Sequence, residues 1–230
     1  MARIAMGVAT LLERLARLDC CAVSDALDAL GLPGATTGVG RLWPVEHALA
    51  GVARTVTAGP KSSGGPAAHI AASAIDSASE GDVIVVANGG RLDVSCWGGI
   101  LTRAARYRGI RGVVIDGACR DIAEGEQLGF PVFGRAVVPV SARGRIVQVA
   151  AGEPVDFAGV RVEQGDLVLA DRDGVVFIPR ERAVDVIAFA GRVVAREEQM
   201  AAAVLAGEPV TAVMHDTKFP VQKAPEEPSS

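Results

Sequence analysis

Residues 81–133, GDVIVVANGGRLDVSCWGGILTRAARYRGIRGVVIDGACRDIAEGEQLGFPVF, alternate short apolar runs with stretches of helical spacing. The apolar runs have the length of buried strands, and the stretches between them have the periodicity of amphipathic helices. The predicted elements are, in order, Val83–Ala87, Gly98–Arg108, Gly112–Asp116, Ile122–Leu128 and Pro131–Phe133. Strand, helix, strand, helix and strand in this order predict crossover units on a partly parallel sheet, and therefore an α/β fold.

The flanking segments extend this unit on both sides. Two helices are predicted at Gly7–Leu18 and Val23–Leu30, and a strand at Gly51–Thr57. Short strands between Gly/Asp turns, without a helix, predict an antiparallel layer from Val137 to Ile178, and helical spacing then runs from Pro179 to about Leu205. We therefore predict one catalytic-type α/β domain over residues 1–207 and a polar, Pro-rich tail over 208–230 that is partly disordered.

The composition excludes several classes of function. The chain has 230 residues, half of them hydrophobic, but no apolar run approaches the ~20 residues that cross a bilayer. The net charge is −4 and no basic stretch stands out, which argues against a nucleic-acid partner. The four cysteines form no CxxC pair, and the amino terminus lacks the apolar centre of a secretory signal. We expect a cytoplasmic protein with free thiols and no membrane partner.

Two short motifs carry the candidate chemistry. Gly98 and Gly99 lie where a loop turns into a helix, and the free N–H groups of a helix start attract a carboxylate or phosphate. Arg120 and Asp121 follow the end of the buried strand Val113–Ile115, where open α/β sheets bind ligands. An arginine can clamp a carboxylate, and an aspartate can hold a divalent cation. Such a site suits an α-keto acid, although an ordinary surface ion pair explains Arg120 and Asp121 equally well.

Three further residues lie close to these motifs in the sequence. Cys119 beside Arg120 is a candidate nucleophile, but a buried structural cysteine is the commoner case. Asp116 is expected to fix the Arg120 loop by hydrogen bonds. Trp97 is a candidate wall of the pocket.

The stretch Val113-Val-Ile-Asp-Gly-Ala-Cys-Arg-Asp, followed by Leu128-Gly-Phe-Pro-Val-Phe, resembles the family of regulator-of-ribonuclease-activity-A-like proteins. Further blocks in family order extend the resemblance over roughly Leu18 to Gly207: His69-Ile-Ala-Ala, Glu80-Gly-Asp-Val-Ile-Val-Val-Ala, Gly165-Asp-Leu-Val-Leu-Ala-Asp and Asp173-Gly-Val-Val-Phe-Ile-Pro. The family includes class II pyruvate aldolases that act on 4-hydroxy-4-methyl-2-oxoglutarate and 4-carboxy-4-hydroxy-2-oxoadipate. The resemblance implies a swivelling-type β/β/α sandwich with mixed sheets and a long C-terminal helix, assembled as a trimer or hexamer.

The resemblance also implies roles for individual residues. Arg120 binds the substrate carboxylate, and Asp121 binds Mg²⁺ or Mn²⁺. Glu197, on the last helix of a neighbouring subunit, reaches the metal through water. The turn that cradles the substrate comprises Gly98, Gly99, Ile100 and Leu101.

Gly99 departs from the pattern of the aldolases, which carry an aspartate at this position, 21 residues before the arginine. The loss removes a water-mediated metal contact and a candidate proton relay. Glu124, one turn beyond Asp121, is an alternative oxygen ligand, or else a solvated helix residue.

Together with the two motifs, the resemblance implies a divalent-metal-dependent lyase that cleaves a C–C bond of a 4-hydroxy-2-oxo acid to release pyruvate and also decarboxylates oxaloacetate. Both reactions proceed through a pyruvate enolate, whose charge Arg120 helps to stabilise. One alternative is a non-catalytic binding protein of the ribonuclease-regulator type. Another is a different lyase on the same scaffold, with Gly99 opening room for another substrate. The long C-terminal helix, which the ribonuclease regulators largely lack, favours the enzyme.

Overall fold

The computed structural model describes residues 7–61, 68–215 and 218–219. Within them the helices are α1 (Val8–Leu15), α2 (Cys20–Ala29), α3 (Ala72–Ser77), α4 (Gly99–Tyr107), α5 (Ile122–Gln127), α6 (Ala183–Leu205) and α7 (Val210–Val213). The strands are β1 (Gly40–Arg41), β2 (Leu49–Pro60), β3 (Asp82–Ser95), β4 (Gly112–Cys119), β5 (Val132–Gly134), β6 (Ala136–Val137), β7 (Ile146–Ala151), β8 (Val155–Phe157), β9 (Val160–Val162), β10 (Leu167–Ala170) and β11 (Val175–Ile178). Most of the tail predicted to be partly disordered, residues 216–217 and 220–230, lies outside the described residues.

One mixed sheet organises the described chain, in the order β1-β5-β4-β3-β2-β10-β11. Its centre is parallel: β2 pairs with β3, β3 with β4 and β4 with β5. Helices α4 and α5 connect β3 to β4 and β4 to β5, as the alternation of the sequence predicts. The carboxyl ends of β3 and β4 therefore meet at one edge of the sheet, with the starts of both helices beside them.

Alternating side chains of the strands contribute to opposite faces of the sheet. On one face, α3, α4 and α5 cover a cluster that includes Ile84, Val86 and Ile115. On the same face further along, α1, α2 and α6 cover a second cluster built on β10 and β11. The other face is covered by the antiparallel hairpin β8–β9, which packs Phe157 against Phe177 with 5.1 Å between the ring centroids. The fold is thus a mixed α/β arrangement of hairpin, sheet and helices with a long C-terminal helix, as expected.

Three features differ from the sequence-based expectation. Strands β7 and β10 pair antiparallel with β2, and β11 pairs with β10, so these strands extend the main sheet and do not form a layer of their own. Strand β3 continues to Ser95, beyond the apolar run Val83–Ala87. Helix α6 begins at Ala183, because the residues after Pro179 form a 3₁₀ turn over Arg180–Arg182.

Among the described residues, none of the helices is both long enough and apolar enough to cross a bilayer.

Candidate active site at the start of helix α4

The Gly98 turn and the Arg120–Asp121 pair come together because the chain after β3 runs beside the end of β4. The Cys96 N–H donates to the Ala118 carbonyl at 3.0 Å, and the Arg120 N–H donates to the Trp97 carbonyl at 3.0 Å. These two backbone bonds fix the entrance of α4 against the residues that lead into α5. The two motifs predicted to form a site are therefore neighbours in the structure.

Trp97 is buried and supports the turn from beneath; it is not a wall of an open pocket. Its side chain is packed parallel to Phe130, with 6.3 Å between the ring centroids. Its indole N–H donates to the Thr102 hydroxyl at 2.9 Å, and that hydroxyl donates to the Gly98 carbonyl at 3.2 Å. The first turn of α4 is thereby tied to the core through side chains.

Gly98 is required by close packing. Its φ of −164° is extended backbone that any residue adopts, so conformation alone does not demand glycine. A Cβ at this position would lie 2.8 Å from Asp121 Oδ2 and 3.3 Å from Arg120 Cγ and Nε. The Arg120 and Asp121 side chains therefore lie directly over this peptide, and Arg120 Nε is 3.4 Å from Asp121 Oδ2.

Asp121 has a left-handed backbone conformation, with φ of +58°. This conformation is uncommon for a residue with a side chain, although aspartate tolerates it better than most. Here it directs the carboxylate back towards α4, where Oδ2 accepts the Gly99 N–H at 3.0 Å. The Asp121 side chain is 45% exposed, so one edge of its carboxylate remains open to solvent.

Glu124 fills the space that Gly99 leaves empty. A Cβ built on Gly99 would overlap Glu124 Oε2 and would lie 2.6 Å from Glu124 Cδ. Glu124, one turn after Asp121 on α5, thus brings a carboxylate to the place beside residue 99. Glu124 is not a solvated helix residue, since its side chain is only 25% exposed.

Arg103 holds Glu124 in this place through an ion pair between Arg103 Nε and Glu124 Oε1. Arg103 is not among the site residues that the sequence predicts. Its position four residues after Gly99 on a predicted helix is the signal that could have found it, because residues i and i+4 share a helix face.

The remaining residues of the predicted cradle lie on the first turn of α4. The side chain of Ile100 is exposed, whereas Leu101 packs against the core cluster beneath the helix. The first N–H groups of a helix have no partner within the helix, and here the Gly99 N–H is bound by Asp121. The backbone of Ile100 and Leu101 thus supplies the donors available to an anion.

Glu197 lies on the exposed face of α6. This helix packs on α1 and α2, over a different cluster from the one beneath the Gly98 turn. Its predicted contribution from a neighbouring subunit stays a prediction.

The donor set matches a hard divalent cation in chemistry, because Asp121 and Glu124 present carboxylate oxygens on adjacent sides of the Gly98–Gly99 peptide. Among the described residues, however, no three His, Cys, Asp or Glu side chains are close enough to hold a metal ion together. Two carboxylates of one chain would therefore need additional ligands from substrate, water or a neighbouring subunit.

Two other candidates have structural roles. Cys119 is fully buried, and burial followed by the charge of Asp121 raises the pKa of its thiol to about 12, so it stays protonated near neutral pH. Asp116 does not fix the Arg120 loop. Its carboxylate accepts Arg135 Nε at 2.5 Å and the Ala158 N–H at 3.3 Å, because it points to the opposite face of the sheet.

A concave region of about 590 Å³ lies at the other edge of the sheet, beside Trp43, Arg111 and Pro131. It adjoins the starts of the parallel strands. Ligands of open α/β sheets bind at the carboxyl ends, where the turn of α4 and the two carboxylates lie, so we place the site there.

Several known proteins resemble this chain over part or most of its length. The chain is 31% identical over 208 residues to protein DlpA of Legionella pneumophila, covering 90% of this chain and 33% of DlpA, so it spans about one third of that relative. It is 34% identical over 102 residues to the 4-hydroxy-4-methyl-2-oxoglutarate aldolase of Thermus thermophilus, covering 43% of this chain and 60% of the aldolase. The crystal structure of Streptomyces coelicolor RraAS2, described as an unusual member of the RNase ES inhibitor RraA family, superposes with a TM-score of 0.76 at 27% identity. That match covers 84% of this chain and 96% of RraAS2.

The family described as RraA-like (Aldolase/RraA) matches residues 20–177. This range contains the Gly98 turn, Arg120, Asp121 and Glu124, and it ends before α6. The chain belongs to the RraA-like family.

Proposed function

We propose that this protein is a divalent-metal-dependent lyase that releases pyruvate from a 4-hydroxy-2-oxo acid by C–C bond cleavage and also decarboxylates oxaloacetate. The observation that carries the proposal is the meeting of Arg120, Asp121 and Glu124 around the Gly98–Gly99 peptide. These groups supply a cation for a carboxylate and two hard oxygen ligands within one turn of each other.

Binding of the keto acid falls to Arg120 and the start of α4. The Arg120 side chain is 41% exposed above the turn, so its guanidinium can pair with an incoming carboxylate. The N–H groups of Ile100 and Leu101 and the positive end of the helix dipole favour the same negative charge. Together they orient the pyruvate half of the substrate towards Asp121.

Asp121 and Glu124 would hold Mg²⁺ or Mn²⁺, with Glu197 of a neighbouring subunit reaching it through water. The bound cation would polarise the keto group and lower the energy of the charge that develops there. Arg120 is fixed by its backbone hydrogen bond to Trp97. From its position on the substrate carboxylate, it stabilises the negative charge that develops on the keto oxygen as the C–C bond breaks.

A different lyase is the weaker alternative. It was considered because Gly99 could leave space for another substrate, and Glu124 fills that space. A binding protein of the ribonuclease-regulator type remains the main competitor, since RraAS2 is described as a member of an RNase inhibitor family.

The test is pyruvate release from 4-hydroxy-4-methyl-2-oxoglutarate and from oxaloacetate with Mg²⁺, Mn²⁺ or EDTA. We expect turnover that requires the metal and that falls by about 100-fold or more in Asp121→Ala, because an essential ligand and orienting group is lost. Glu126→Ala, an exposed carboxylate on the same helix, is the matched control and should keep full activity. Absence of metal-dependent turnover on either substrate, together with no rise in Tm on adding metal, would favour the binding protein.

A further inference from the structure

The four charged side chains around the Gly99 peptide form two ion pairs. Arg120 lies 3.4 Å from Asp121, and Arg103 pairs with Glu124. Each carboxylate that the proposed function assigns to the metal is therefore already neutralised by an arginine of the same chain. A divalent cation that binds here has to replace at least part of this compensation.

The two arginines differ in what else they do. Arg120 is fixed at the end of β4, and its backbone N–H is bonded to Trp97. Arg103 is on the outer face of α4 with its side chain 61% exposed, whereas Glu124 is only 25% exposed. The guanidinium of Arg103 can therefore turn into solvent without disturbing the packing, while Glu124 stays between the two helices.

Gly99 makes this arrangement possible. Any side chain at residue 99 would occupy the place of Glu124 Oε2, and the ion pair with Arg103 would be lost with it. A glutamate on a short helix has several rotamers, and an ordering partner is needed to keep it in one of them. Arg103 is the partner that the structure provides.

We propose that Arg103 is the resident counter-cation of Glu124, a positioning residue that holds the carboxylate beside Gly99 and gives way to a divalent cation. The proposal rests on the proposed function, because it assigns Glu124 to the metal. Since the cation has to displace an arginine, the site binds a metal ion, in the absence of substrate, more weakly than the same two carboxylates would without Arg103. A second consequence is that Arg103 changes the metal affinity only through its ion pair with Glu124.

The test is Mn²⁺ binding to the full chain, measured as the decrease in the electron paramagnetic resonance signal of free Mn²⁺. This measurement does not depend on turnover. Arg103→Met, which keeps the length of the side chain but not its charge, should bind Mn²⁺ about fivefold more tightly than the natural protein, the change expected for loss of one partly exposed ion pair. Arg103→Lys, which keeps a cation in place, should bind like the natural protein.

Two controls separate this effect from a general loss of positive charge. Arg106→Met removes an exposed arginine one turn further along α4 and should leave the affinity unchanged. In the Glu124→Gln background, which should bind Mn²⁺ more weakly, adding Arg103→Met should have no further effect.

Unchanged or weaker Mn²⁺ binding in Arg103→Met, in a natural protein that binds Mn²⁺ and releases pyruvate, overturns the counter-cation role and leaves the lyase intact. An equal gain in Arg106→Met, or a gain that persists in the Glu124→Gln background, overturns it as well. A natural protein that binds no Mn²⁺ overturns the metal site and this inference together.

Discussion

At the scale of single residues, the two glycines of the turn serve different purposes. Gly98 lets Arg120 and Asp121 lie over the peptide, with Asp121 Oδ2 only 2.8 Å from where a Cβ would be. Gly99 instead makes room for a carboxylate that comes from another helix, that of Glu124. In a site of this kind the absence of a side chain determines which oxygen can face the ligand.

The replacement Gly99→Ala tests this role with one methyl group. The new Cβ would take the place of Glu124 Oε2, and Glu124 would have to move out of the site. Since a displacement of about 1 Å in a reacting group costs on the order of 100-fold in rate, we expect kcat/KM for pyruvate release to fall by about that factor. Alanine is favoured over glycine in a helix, so Tm should not fall.

The matched control is Gly191→Ala on α6, where a Cβ would meet nothing within 4 Å. It should leave both kcat/KM and Tm at or above the values of the natural protein. A Gly99→Ala variant with full activity would show that the position of Glu124 is irrelevant to the reaction.

At the scale of elements, the start of α4 depends on the bond between Thr102 and Trp97. Both side chains are buried, and the Thr102 hydroxyl accepts the indole N–H at 2.9 Å. A valine has nearly the same shape as threonine but lacks the hydroxyl, so the indole N–H would be left without an acceptor.

We expect Thr102→Val to lower the free energy of unfolding by about 1–3 kcal/mol, the cost of an unpaired buried polar group. Urea unfolding of the full chain measures it. Thr102→Ser keeps a hydroxyl acceptor for the indole N–H. It should therefore retain most of the free energy of unfolding that this hydrogen bond contributes. If Thr102→Val were as stable as the natural protein, the hydroxyl would have no part in holding the turn.

The sequence predicts those elements whose apolar pattern matches their burial. The runs Val83–Ala87 and Val113–Ile115 are buried in neighbouring parallel strands, and helix α4 between them lies where expected. The extension of β3 to Ser95 was not predicted, because its register shifts after Ala87 and again after Arg91, and Gly89 and Gly90 adopt positive φ. Such irregular pairing leaves no period-2 pattern.

The candidate site likewise contains residues that the sequence predicts and residues that it does not. Arg120 and Asp121 could be predicted because they follow a buried strand, and Gly98 because a glycine pair marks a helix start. The contact of Glu124 with Gly99 joins α5 to α4, so it depends on how the two helices pack, which local sequence does not encode. The pairing of Arg103 with Glu124 was missed for the same reason, because the two residues are 21 positions apart. Only the position of Arg103 on the same helix face as Gly99 could have been inferred from the sequence.

At the scale of the whole molecule, the long helix and the site lie on separate clusters of the helical face. Helix α6 packs on α1 and α2, whereas the turn of α4 is built over β3 and β4. The proposed contribution of Glu197 would therefore come from a second copy of the chain, in a closed oligomer with sites between subunits, for which the sequence-based expectation is a trimer or hexamer.

Subunit complementation tests this arrangement. Asp121→Ala and Glu197→Ala should each be inactive alone, because each removes one half of every site. After mixing under conditions that exchange subunits, about one quarter of the sites in a random ring receive both intact halves, so about one quarter of the natural activity should return. Activity that stays at the level of the separate variants after proven exchange would place both residues in one subunit or exclude Glu197 from the reaction.

The central claim is that the Glu124 carboxylate, admitted by Gly99, completes the site with Asp121. Its most direct test is Mg²⁺-dependent pyruvate release from oxaloacetate by Glu124→Ala and by the double variant Gly99→Asp with Glu124→Ala. We expect the single variant to lose about 100-fold in kcat/KM and the double variant to recover a large part of it, since the aspartate brings a carboxylate back to the same place. A Glu124→Ala variant as active as the natural protein would contradict the claim.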